Sequence, residues 1–190
     1  MDAFLTSAAV VALAEIGDKT QLLAIVLATR FKRPVPIVAG IFFATLANHF
    51  LAALLGAQAA AWLSGVWFRY VVALSFIAMA AWTLVPDKLD DEEGVKTGHY
   101  GAFLTTLVAF FLVEMGDKTQ VATIALGARF HNVLEVMAGT TMGMMLANGP
   151  AVFLGDALTR RVSLALVHRI AALLFLAIGL WLLAQTAGLI

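Results

Sequence analysis

Two octets share one order of residues: AEIGDKTQ at 14–21 and VEMGDKTQ at 113–120. The first supplies Glu15, Asp18, Lys19, Thr20 and Gln21, and the second Glu114, Asp117, Lys118, Thr119 and Gln120. Carboxylate, hydroxyl and amide oxygens are hard donors. They suit Mg²⁺, Ca²⁺ and Mn²⁺ better than Cu⁺ or Zn²⁺. The chain has no cysteine, which removes thiolate metal sites, disulfides and thiol redox chemistry. On a continuous helix, carboxylates at i and i+3 lie on one face, one turn apart. Fully ionised, the four acids and two lysines of the octets sum to about −2, the complement of one divalent cation. Gly17 and Gly116 stand beside the acids, where a missing side chain permits close packing or local unwinding.

These charges sit in costly surroundings. The chain of 190 residues is 62% hydrophobic and 13% charged, and its apolar runs exceed the length that reads as a transmembrane helix. Too little polar surface would remain for a soluble buried bundle, so a polytopic membrane protein is expected. A charge at the bilayer centre costs about 2.5–3.5 kcal/mol on insertion scales. Pairing of Glu15 with Lys19 at i,i+4 would offset part of this, yet it leaves one carboxylate in excess per half. Formal net charge is +0, and no basic patch marks a nucleic-acid partner. The opening MDAFLTSAAVV lacks the basic region of a signal peptide, so the first apolar stretch is expected to be a span.

Six apolar segments are predicted, near 3–29, 34–57, 68–86, 101–128, 133–155 and 165–187. A helix is the spanning form they fit, since a barrel needs short alternating strands. A polar linker at 87–100 divides two repeats, 1–86 and 101–190. A shift of 99 carries the first octet onto the second, Arg30-Phe31 onto Arg129-Phe130, Gly40 onto Gly139, Gly56 onto Gly155, Phe76 onto Phe175 and Trp82 onto Trp181. The LAN at 46–48 matches the LAN at 146–148 with a shift of 100. Three crossings per repeat bring the second copy in from the opposite side, so the fold expected is all-α, six transmembrane helices in two inverted three-helix repeats. With the N-terminus outside, inner loops hold Arg30, Lys32, Arg33, Lys88, Lys96, Arg160, Arg161 and Arg169, and outer loops hold Arg69 and Arg129. This excess favours both termini outside and the acidic linker in the cytoplasm.

The paired octets read as an intramembrane cation site at the repeat interface, with Glu15, Asp18, Glu114 and Asp117 as ligands. Lys19, Thr20, Gln21, Lys118, Thr119 and Gln120 would support the metal or the proton coupling. Asn48 and Asn148, matched through the LAN triplets, would complete the coordination shell or cap a neighbouring helix. His49 has no partner under that match, since Gly149 follows Asn148. It is expected to be a hydrogen-bonded packing histidine, with proton carriage as the alternative. Glu135 and Asp156 fall near span ends and read as interfacial, and DDEE at 90–93 as a solvated stretch of linker. Low-dielectric carboxylates favour their neutral, protonated form when empty, and metal ligation requires ionised oxygens. One site opening alternately to each side would therefore exchange cation for proton.

The doubled E-x-G-D-K-T motif, three spans per half and the acidic middle loop resemble the Gdt-type cation/proton antiporters, which include bacterial manganese exporters and Golgi manganese/calcium transporters. The resemblance covers essentially the whole chain and both copies match in full, with Ile16 and Met115 at the variable position. It implies Mn²⁺ or Ca²⁺ as the transported ion, the four motif acids as its ligands, proton exchange and no separate cofactor. It also implies residence in a bacterial inner membrane, and a homodimer is compatible with it. A divalent-cation channel without proton coupling is the alternative. No H-E-x-x-H or G-x-S-x-G pattern supports an intramembrane hydrolase. An accessory scaffold would show no ion flux on its own.

Overall fold

A computed structural model describes residues 2–63, 65–85, 101–155 and 164–189. The linker at 87–100, with Lys88, Lys96 and the DDEE stretch, lies outside the described residues, as do Asp156, Arg160 and Arg161. All regular structure among the described residues is helical. The helices are α1 Ala3–Glu15, α2 Lys19–Phe31, α3 Pro34–Trp62, α4 Val66–Thr83, α5 Ala102–Glu114, α6 Lys118–Phe130, α7 Val133–Leu154 and α8 Leu164–Thr186.

The first and fourth expected spans are not continuous helices. Each breaks inside its octet, between α1 and α2 and between α5 and α6. The cause is local: Gly17 has φ +85° and Gly116 φ +82°, a left-handed conformation that only glycine adopts without strain. Glu15 and Glu114 therefore end one helix, and Asp18 and Asp117 occupy the N-cap position of the next. The acids do not share one helical face. They flank a break.

Other boundaries follow from capping chemistry. Asp2 caps α1 by accepting from the Leu5 amide at 2.9 Å, which satisfies one of the free donors of the first turn. Pro34 opens α3, where its missing N–H costs nothing. Asn132 caps α7 by accepting from the Glu135 amide, and Glu135 is exposed in that first turn. The breaks of α2 from α3 and of α6 from α7 are alike: Lys32 and His131, 99 residues apart, are the two non-glycine residues of positive φ among the described residues.

Packing follows the same repeat. α1 lies on α7, and α5 on α3; α2 also meets α7, and α6 meets α3. Gly40 of α3 is pressed against the Phe103 carbonyl and Thr106 of α5, while Gly139 of α7 is pressed against the Phe4 carbonyl and Ser7 of α1. These six positions form three pairs, each 99 residues apart. A glycine here lets two backbones approach closely, as small residues do between membrane helices. α4 packs on α8, where Phe76 meets Phe175, its own repeat counterpart, with ring centroids 6.3 Å apart.

The distribution of polarity is the reverse of a water-soluble protein's. Leu51, Leu55, Trp62, Trp67, Leu112, Phe153, Leu154 and Leu173 are exposed, whereas Glu15, Asp18, Glu114, Asp117 and Lys118 are buried. Charged residues are almost never fully buried in soluble domains unless paired. α3, α4 and α8 are long and apolar enough to cross a membrane.

Candidate metal centre

A helix break leaves backbone groups without partners, which hydrocarbon does not tolerate unless protein lines the gap. Here each octet supplies its own remedy. Gln21 Oε1 accepts from the Gly17 amide at 3.0 Å, and Gln120 Oε1 accepts from the Gly116 amide at 2.7 Å. Asp18 N donates to the Glu15 carbonyl at 3.0 Å, and Asp117 N to the Glu114 carbonyl at 3.2 Å. Gly17 and the glutamine four residues on thus form one unit: the glycine turns the chain and the amide caps the turn.

The two breaks face one another. Carboxylate oxygens of Glu15, Glu114 and Asp117 lie within 4.8 Å of one another, all buried. The lysines pair across the interface. Lys118 Nζ stands 2.9 Å from Asp18 Oδ1, and Lys19 Nζ 3.5 Å from Asp117 Oδ1. These pairs join the breaks reciprocally, lysine of one copy to aspartate of the other. The consequence for charge is specific. Two aspartates are each matched by an ammonium, and Glu15 and Glu114 remain as the excess negative groups.

Both glutamates are held on one side and open on the other. Thr20 Oγ1 donates to Glu15 Oε2, and Asn148 Nδ2 approaches the same oxygen at 3.4 Å. Thr119 Oγ1 lies 3.1 Å from Glu114 Oε2 and 3.3 Å from Asp117 Oδ2, so its proton can serve either. Glu15 Oε1, Glu114 Oε1 and Asn148 Oδ1 are buried and accept no hydrogen bond among the described residues. Unsatisfied buried acceptors are costly. Several oxygens in that condition at one point form a donor set for a hard cation.

All twelve residues singled out in the sequence lie in or around this centre. Gln21 donates to the Ala147 carbonyl at 3.0 Å, and Gln120 donates to Asn48 Oδ1 at 2.7 Å. Asn48 also reaches the Phe111 carbonyl at 3.4 Å. Asn148 touches a motif glutamate directly, whereas Asn48 reaches the motif through Gln120.

The profile of a family described as divalent cation/proton antiporter GDT1 matches residues 3–91 and 102–189, each segment containing one octet. The chain belongs to the GDT1 family. This is a family of transporters, not of enzymes. Among its relatives is a Vibrio cholerae protein named "Putative manganese exporter", 49% identical over 181 residues that cover 95% of this chain and 90% of the relative. GDT1-like protein 5 of Arabidopsis thaliana is 29% identical, covering 95% of this chain and 94% of its own. A GDT1-like protein of Synechocystis is 28% identical, with 92% and 93% covered. No solved structure matches the chain.

One residue of this GDT1 chain was placed differently by sequence. His49 is fully buried, with Nε2 3.8 Å from Glu114 Oε2. Neither ring nitrogen has a hydrogen-bond partner among the described residues, so it is not the hydrogen-bonded packing histidine expected. Its counterpart under the shift of 99 is Asn148, which approaches Glu15. The LAN triplets mislead by one residue. At three positions the contacts of α3 and α7 keep the shift of 99: Gly40 with Gly139, Asn48 with Ala147, His49 with Asn148. A constant shift, applied without allowing for the triplet, would have found the pair.

Proposed function

We propose that this GDT1 protein is a secondary transporter that exports a divalent cation in exchange for protons, with Glu15, Asp18, Glu114 and Asp117 forming the ion site. Mn²⁺ is the favoured cargo, in line with the name of the Vibrio cholerae relative, and Ca²⁺ is accepted by the same oxygens. The observation that carries the reading is the meeting of two helix breaks: three buried carboxylates within 4.8 Å, with the aspartates matched by crossed lysines and two glutamates left in excess. Transporter sites are commonly formed by broken helices at a repeat interface.

Six spans in two inverted three-helix repeats are part of the proposal, with α1–α2 and α5–α6 each serving as one broken span. Reciprocal contacts support it, since a residue that meets its own counterpart, as Phe76 meets Phe175, lies where a twofold axis would pass. Loop charge supports both termini outside, and a bacterial inner membrane is in line with the Vibrio cholerae relative. Thr20, Gln21, Asn48, Thr119, Gln120 and Asn148 hold the acids and the broken backbone in place. Lys19 and Lys118 hold the aspartates, leaving the glutamates to exchange protons for the ion.

The test is flux into proteoliposomes with Mn²⁺, Ca²⁺ and Mg²⁺ compared under an imposed pH gradient. The expected result is Mn²⁺ movement driven by the proton gradient and accompanied by proton counterflow. Equal flux with and without the gradient would support the channel alternative instead.

A further inference from the structure

The oxygens of the centre do not by themselves separate Mn²⁺ from Ca²⁺ or Mg²⁺, because all three accept carboxylate and amide donors. One group at its edge does. His49 projects from α3, is 0% exposed, and has both ring nitrogens without a hydrogen-bond partner among the described residues. Buried imidazoles ordinarily satisfy at least one nitrogen. Its Nε2 is 3.8 Å from Glu114 Oε2. Two donors each about 2.2 Å from one ion lie roughly 3–4.4 Å apart, so Nε2 and Glu114 are spaced to share an ion. His49 stands just outside the group of Glu15, Glu114 and Asp117 oxygens that lie within 4.8 Å of one another, and joining all three requires the side chains to close in on the ion. In the other half the equivalent position is Asn148, whose Oδ1 is also buried without a partner. The two halves thus offer the same post to the site, filled once by an amide and once by an imidazole.

We infer that His49 is the specificity-determining ligand of the transported ion: its imidazole nitrogen joins the carboxylates of Glu15, Glu114 and Asp117 and favours a first-row transition ion such as Mn²⁺ over Ca²⁺ and Mg²⁺. This inference rests on the proposed cation site. The chemistry is that of donor softness. A transition ion gains from imidazole, whereas Ca²⁺ and Mg²⁺ take oxygen and gain little. A single nitrogen among oxygens keeps the site hard enough for Mn²⁺, and without thiolates it remains far from a Cu⁺ or Zn²⁺ trap. The rival role for His49 is a charged clamp on Glu114, in which the ring never touches the ion.

Electron spin echo spectroscopy of Mn²⁺ bound to the purified full chain separates the two roles. Modulation from a histidine nitrogen is expected, changing frequency when histidine is labelled with ¹⁵N and disappearing in H49Q. In proteoliposomes H49Q is expected to lose roughly tenfold in preference for Mn²⁺ over Ca²⁺ while still moving Ca²⁺. Should H49Q fail to fold, a chain with His99, His131 and His168 changed to Gln leaves one imidazole, and its ¹⁵N shift decides. Bound and transported Mn²⁺ with no histidine nitrogen coupling, or an unchanged ion preference in H49Q, would overturn this inference and leave the cation site intact. Absence of any Mn²⁺ binding by the wild-type chain would overturn both.

Discussion

The two helix breaks carry the same six motif residues and stand in different surroundings. A side chain at Gly17 would meet Leu164 Cδ2 at 2.8 Å and His168 Nε2 at 3.1 Å, because the start of α8 lies over the first break. His168 Nε2 also contacts the Ile16 carbonyl at 3.1 Å. A side chain at Gly116 would meet nothing within 4 Å among the described residues, and Met115 beside it is 58% exposed. The aspartates differ in the same sense, Asp18 being 1% exposed against 4% for Asp117, whereas their crossed lysine partners reverse it, Lys118 being 3% exposed against 17% for Lys19. Chemistry is duplicated, and its shielding is not. Under the transport mechanism proposed above, this is the arrangement alternating access requires, with one approach covered and the other open. Under the shift of 99, Leu164 and His168 correspond to Gly65 and Arg69 of α4, so the opposite state would lay α4 over Gly116.

Changes to the acids break this comparison most severely. E15Q and E114Q should each lower Mn²⁺ flux at least about 100-fold, and by similar factors, because each glutamate contributes an excess charge to one shared site. A large difference between them in proteoliposome flux would argue for two unequal sites. Crosslinking is next in effect. The chain has no cysteine, so the pairs Ile16→Cys with His168→Cys and Met115→Cys with Arg69→Cys can be oxidised without background. Both are expected to crosslink and to stop flux. Failure of the second pair under every ion and pH condition would count against an exchange of covers.

Smaller effects sharpen the inequality. K118Q should destabilise the detergent-solubilised protein by about 3–5 kcal/mol, the usual result of removing one partner from a buried pair. K19Q should cost less, since its pair is longer and more exposed, and comparison of denaturation midpoints checks the order. G116A should cost about 1–2 kcal/mol for its left-handed backbone alone. G17A should cost more, because the added methyl also collides with Leu164. The smallest difference is between the glutamines: Q21A should exceed Q120A, at about 1 kcal/mol per lost hydrogen bond, because Gln21 is buried and Gln120 half-buried.

Much of this was legible in the sequence, and the gaps have physical causes. The helical class and the internal repeat are carried by apolar run length and a constant shift, both local properties of the chain. The breaks at Gly17 and Gly116 were legible only as one of two alternatives, close packing or local unwinding, because hydropathy continues through the octets and a glycine inside a helix is tolerated. Only the backbone angle distinguishes a packing glycine from a turning one. The pairing of Lys19 with Asp117 and of Lys118 with Asp18 is tertiary, so spacing along one helix could not reveal it. His49 was obscured by a chance LAN triplet that displaced the register of α3 against α7 by one residue.

The central claim is that both breaks build one site, and ion stoichiometry tests it most directly. Calorimetric titration of the purified chain with Mn²⁺ should give a single bound ion per chain, with binding lost in E15Q and lost equally in E114Q. Two ions per chain, with each variant retaining one of them, would contradict the account.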